Sequence, residues 1–190
     1  MADSTEFQVN TTTDGTQETP SIASLTDGGF VVTWAGSGVG DDSGVFAQLY
    51  NSSGVKSGSE LLVNTYTSNS QKDATVTSLT GGGFVVTWSG PFGTDVYGQI
   101  FDSSSNKSGS EFVVNTTISG TQETPSVTSL ADGGFVIAWQ DGDGENMPWS
   151  EDGKDGDSTG IFAQRFDASG NKIAPAQDTI LPTITFNSAS

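Results

Sequence analysis

Seven carboxylates stand between residues 141 and 157: Asp141, Asp143, Glu145, Glu151, Asp152, Asp155 and Asp157. Lys154 is the one opposite charge among them, and glycines break the run into short turns. Like charges gathered this closely repel unless a cation lies between them. Calcium takes roughly six to eight oxygen ligands from flexible loops, which fits such a run. Asp141-x-Asp143-x-Glu145 and Asp155-x-Asp157 resemble the opening of an EF-hand loop. However, Asn146 stands where that loop needs glycine, and Asp152 where it needs glutamate. The second run reaches Phe166 at the last ligand position, and no helix flanks either run. The expected cofactor is therefore Ca2+, bound in another geometry by Asp141, Asp143, Glu145, Asp152, Asp155 and Asp157. Asp41, in the matching loop "GVGDDSG", is the expected counterpart in the first repeat. The competing reading makes these residues ordinary turn formers on a solvated loop.

Trp149 lies in the same loop, within "NMPWSEDG". An aromatic ring among polar residues can stack on a sugar or can simply pin its loop down. It is the candidate ligand-binding residue, with glycans or a surface protein as the expected partners.

Other chemistries are excluded by composition. The chain has no His and no Cys. That removes a Ser-His-Asp triad, a thiolate nucleophile and nearly all zinc sites. Glycoside hydrolysis needs two carboxylates beside one bond. Glu18 and Glu123 recur in "TQETPS", and Glu6, Glu60 and Glu111 recur before Val-Asn-Thr. A catalytic pair breaks repeat symmetry, whereas a carboxylate that repeats reads as structural. The expectation is a chain that is not an enzyme and has no catalytic residue, with a glycoside hydrolase as the remote alternative.

The formal net charge is −17, with only six Lys and Arg. Nucleic acid and anionic membranes would be repelled, since phosphate binding needs clustered basic residues. No apolar run approaches the roughly 20 residues of a membrane span, so no membrane insertion is expected. "MADSTEFQ" lacks the features of a signal peptide. It reads as an added Met ahead of an internal segment, with the export signal elsewhere.

The elements that carry these residues repeat. "LTDGGFVVTW", "LTGGGFVVTW" and "LADGGFVIAW" place Trp34, Trp88 and Trp139 at spacings of 54 and 51. "EFQVNT", "ELLVNT" and "EFVVNT" place Asn10, Asn64 and Asn115 at the same spacings. Gln48, Gln99 and Gln164 recur in "VFAQLY", "VYGQIF" and "IFAQRF". Each unit reads as four short strands. "PSIASL" (Pro20–Leu25) leads through an Asp-Gly-Gly turn, which supplies the positive φ a tight hairpin needs, into "FVVTW". Neither face of "FVVTW" is strongly polar, so burial on both sides is predicted. The Gln strand comes third and the "EFVVNT" element fourth. No segment has a helical period.

The fold class expected is all-β: three repeats (about 6–59, 60–110 and 111–176) of a four-stranded antiparallel unit, similar to a β-propeller blade. A β-trefoil or β-prism is the threefold alternative. Residues 1–176 form the repeat domain and 177–190 a C-terminal strand or linker. The third unit lacks "EFVVNT", so the N-terminal Glu6–Thr11 could complete it, or two chains could form a six-blade ring as a homo-oligomer.

The string "DGGFVVTW…FAQ…DASGNK…EFVVNT", over Glu6–Lys172, resembles tandem repeats of large secreted bacterial proteins. Those proteins often also carry hemolysin-type (RTX-like) calcium-binding repeats or adhesin modules. The resemblance implies export to the medium or the cell surface and a calcium-rich setting. The nonapeptide G-G-x-G-x-D-x-U-x is absent here. The combined expectation is an extracellular calcium-binding β-repeat module that contributes to adhesion, with carbohydrate contact. A purely structural spacer without ligand is the alternative.

Overall fold

The computed structural model describes residues 5–116, 120–142 and 159–174. β1 (Gln17–Ser24), β2 (Phe30–Gly38), β3 (Asp41–Tyr50) and β4 (Lys56–Leu62) form one sheet in chain order. β5 (Lys72–Ser78), β6 (Phe84–Ser89), β7 (Val96–Phe101) and β8 (Lys107–Val113) form a second. β9 (Thr121–Ser129), β10 (Phe135–Gly142), β11 (Thr159–Phe166) and β12 (Lys172–Ile173) form a third. All neighbouring strands are antiparallel. Among the described residues the single helical element is a 3-10 turn at Pro91–Gly93.

Local chemistry explains the repetition. In the hairpin between β1 and β2, Gly28 takes φ +86° and Asp27 Oδ1 accepts the Gly29 N–H at 2.9 Å. A side chain at Gly29 would strike the Tyr50 carbonyl, so the second glycine lets the next hairpin approach. A glutamine recurs on the third strand of each sheet, and in the first two sheets it bridges a bulge. Gln48 Nε2 donates to Leu49 O at 3.0 Å and to Gly58 O at 3.3 Å. Gln99 repeats both bonds with Ile100 and Gly109, and Gln164 with Arg165 and Ile173. The register shifts between β3 and β4 and between β7 and β8 fall at Gln48 and Gln99. The side-chain amide satisfies carbonyls that the broken ladder would otherwise strand.

The sheets stack face to face. β5 packs against both β1 and β9, so the first strands of the three sheets lie side by side on the inside of an arc. Phe84, Val86 and Trp88 of the second sheet pack on Val31, Val45 and Val63 of the first. Phe135, Ile137 and Trp139 of the third pack on Val85, Val96 and Val114 of the second. All six residues of β6 are buried, as two-faced burial of this strand requires.

Two details depart from the sequence expectation. β1 starts at Gln17 rather than Pro20, because the strand continues through a bulge between Glu18 and Ser21. Residues 5–16 form no strand and lie instead against the first sheet, where Lys56 Nζ donates to Val9 O at 2.7 Å.

Candidate functional site

The bulge that lengthens β1 recurs on each inner strand and turns a group of charged side chains into one place. Thr19, Asp73 and Thr124 occupy equivalent positions with φ of +50°, +57° and +51°. Left-handed backbone at a residue with a side chain costs on the order of 1 kcal/mol or more. The preceding residues are Glu18, Lys72 and Glu123. The outer two sheets therefore present glutamate where the middle sheet presents lysine, and the middle sheet adds Asp73 where the others have threonine.

Lys72 Nζ lies 3.0 Å from Glu123 Oε1. Its pKa is raised, first by the hydrogen bond to Glu123, against burial, and then by the charges of Glu123, Asp73 and Glu18. Three carboxylates from three inner strands thus act on one ammonium group. Asp73 Oδ2 accepts from Ser89 Oγ at 3.1 Å, and Ser89 Oγ accepts the Thr124 N–H at 3.1 Å. This short relay ties the second sheet to the third beside the ion pair.

The turn at Pro91–Gly93 leans on the same group. A side chain at Gly93, which has φ +66°, would collide with Glu123 Oε1. Glycine alone lets the turn pack against the carboxylate. Phe92 sits at its tip, 79% exposed, at φ +61° and ψ +11°. Toward the first sheet a polar cleft of about 360 Å3 includes Glu18, Ser37, Asp42 and Gln71 among its lining residues. Hydroxyls, amides, carboxylates and an exposed ring are the groups that bind the hydroxyls and faces of sugars.

Of the expected cation ligands only Asp41 and Asp141 are among the described residues. Asp143, Glu145, Asp152, Asp155 and Asp157, with Trp149, lie outside the described residues. Asp41 and Asp141 sit on different sheets, and the fold does not bring them together. Asp41 is buried. Its Oδ1 accepts the Ser43 N–H at 2.9 Å and its Oδ2 accepts from Asn64 Nδ2 at 2.7 Å. Asp95 receives the same bond from Asn115 at 2.7 Å. Asp141 Oδ1 accepts from Gln122 Nε2 at 2.8 Å, and Gln122 Oε1 accepts from Trp139 Nε1 at 2.7 Å. Among the described residues no group of three or more acidic side chains is placed to hold a metal ion.

Sequence reasoning passed over Lys72 and Asp73. The available signal was the middle copy itself, where "QKDATV" replaces "QETPSI" and "QETPSV".

No family model matches the chain, and no curated protein matches it. Among solved structures it is similar to an endo-arabinase from Bacteroides thetaiotaomicron, with 15% identity and a TM-score of 0.52. The match covers 84% of this chain and 61% of the arabinase chain. The fold is β-propeller-like. Its three sheets are blades, and β1, β5 and β9 are their inner strands. The likeness concerns the fold, and it corrects the expectation of a chain that is not an enzyme, because an enzyme is built on this architecture. The carboxylates at the inner strands are not a symmetric set, since Lys72 and Asp73 interrupt it. No helix among the described residues is long and apolar enough to cross a membrane.

Proposed function

We propose that the chain acts on carbohydrate, as a glycoside-hydrolase-type β-propeller module, with its site at Glu18, Lys72, Asp73 and Glu123. The observation that carries this reading is the ion pair of Lys72 with Glu123 across neighbouring inner strands, at a position where the first and third blades carry glutamate. Hydrolysis of a glycosidic bond requires one carboxyl that gives a proton to the leaving oxygen and a second that activates water or attacks carbon. Glu123, paired with Lys72 and backed by the Gly93 turn, suits the anionic role. Glu18, on the first blade and lining the open cleft, is the second carboxylate of the proposal. Phe92 offers a ring face to a sugar. Similarity of fold to an endo-arabinase supports a polysaccharide such as arabinan as the first substrate to try. Such a substrate is met outside the cell, in keeping with a secreted or surface-borne bacterial protein.

Affinity electrophoresis tests the binding half of this reading. In gels cast with arabinan or another plant polysaccharide, the wild-type chain is expected to be retarded. Glu18→Gln and Phe92→Ala should migrate more freely. Equal migration of all three in every polysaccharide would remove the carbohydrate reading.

A further inference from the structure

The blades within the chain meet through one interface made twice. Each junction between blades is built on a Val-Asn-Thr segment. At the first, Val63 N donates to Val45 O at 2.8 Å and Asn64 Oδ1 accepts the Val45 N–H at 2.8 Å. At the second, Val114 and Asn115 repeat both bonds with Val96, also at 2.8 Å. The same segment then touches the following blade. Thr65 N donates to Glu111 Oε2 at 2.6 Å, and Lys107 Nζ reaches Asn64 O at 3.3 Å.

The N-terminal "EFQVNT" has only the second half of these contacts. Thr11 N donates to Glu60 Oε2 at 2.9 Å, as Thr65 does to Glu111, and Lys56 holds Val9 O. Val9 and Asn10 line a small cavity with Trp34, over the face of the first blade that no other blade covers among the described residues. The segment therefore sits as though it had arrived from a preceding blade.

Among the described residues the third blade lacks the matching half. Ile161 is 78% exposed where Val45 and Val96 are fully buried. Arg165 replaces Leu49 and Ile100, and its buried Nε has no partner among the described residues. Residues 175–190 contain no Val-Asn-Thr. On the first blade, Ile22 is 66% exposed where Val76 of the second is 7% exposed. The open face of the first blade carries the surface that the second and third blades use for packing. The open face of the third carries the surface that the first and second blades offer.

We infer that a second copy of this chain is the missing partner. The third blade of each copy takes the first blade and the Glu6–Thr11 segment of the other. The contact continues the interface already made twice within the chain. Two copies give six blades, within the roughly four to eight of propellers. A head-to-tail contact that returns on itself closes and limits assembly to the pair. Each copy carries a formal charge of −17, so salt strengthens the pairing by screening repulsion.

Engineered cysteines test it, since the chain has none of its own. One full-length batch carries Asn10→Cys and another Ile161→Cys, the pair equivalent to Asn64 with Val45. Mixing and mild oxidation should give a disulfide-linked heterodimer, and light scattering of the wild type should report twice the monomer mass at high salt. Ile161→Asp should return the monomer and melt like the wild type at low salt and low concentration, where both are monomers, because Ile161 is exposed within one copy. A wild type that stays monomeric at every concentration and salt would overturn the inference. So would a double variant that forms the bond within a single chain.

Discussion

Lys72 on β5 and Glu123 on β9 join neighbouring inner strands through a 3.0 Å ion pair, at the one position where the repeat changes the sign of its charge. The pair is partly open, with side-chain exposures of 42% and 32%. Pairs this wet contribute little to stability, about 1 kcal/mol or less. Lys72→Met should therefore lower the melting temperature only slightly while weakening polysaccharide binding. The sign with pH follows from the raised pKa. The folded state favours charged Lys72, so its contribution is present below the ordinary lysine value of 10.5 and is lost as pH rises past the raised folded value. Melting curves of wild type and variant should converge above that pH, and a gap that widens there would reverse the assignment.

Asn64 is a structural hinge of the repeat. It is 1% exposed, accepts the Val45 N–H and donates to Asp41. Asn64→Ala strands a buried N–H and a buried carboxylate at once. Urea denaturation should register a loss of about 2–4 kcal/mol. A loss under half a kilocalorie would show that water replaces both bonds.

Trp88 should be the costliest core truncation. It is 1% exposed, between the first and second blades, and stacks on Tyr97 with ring centroids 6.1 Å apart. Trp88→Ala is expected to cost about 3–5 kcal/mol by denaturant titration.

The Pro91–Gly93 turn separates stability from function. Gly93→Ala adds a side chain at φ +66° and forces it against Glu123. It should cost about 1–2 kcal/mol and displace the carboxylate from Lys72. Phe92→Ala removes an exposed ring and should leave melting unchanged while reducing retention by polysaccharide several-fold. If Phe92→Ala unfolds the chain instead, the ring serves the fold and not a ligand.

Much of the fold was readable in single repeats. Asp27-Gly28-Gly29 dictates its hairpin by local geometry, and "FVVTW" carries apolar residues on both faces because two sheets cover it. The site was not readable in that way. Lys72 and Glu123 are 51 residues apart and meet only because inner strands pack side by side, with Glu18 on the strand beyond. Repetition of "TQETPS" suggested a structural carboxylate, yet the departure "QKD" in the middle copy makes the set unequal. Asp41 shows the same limit. Its place in a Gly-Asp loop suggested a cation ligand, whereas its carboxylate takes the junction amide of Asn64.

The most direct measurement is release of reducing ends from arabinan and a panel of related polysaccharides, run side by side with wild type and Glu123→Gln. Release by the wild type, reduced at least 100-fold in Glu123→Gln with melting lowered only slightly, is the predicted result. No release by the wild type from any polysaccharide, or equal release by both proteins, would contradict a hydrolytic site at Glu123.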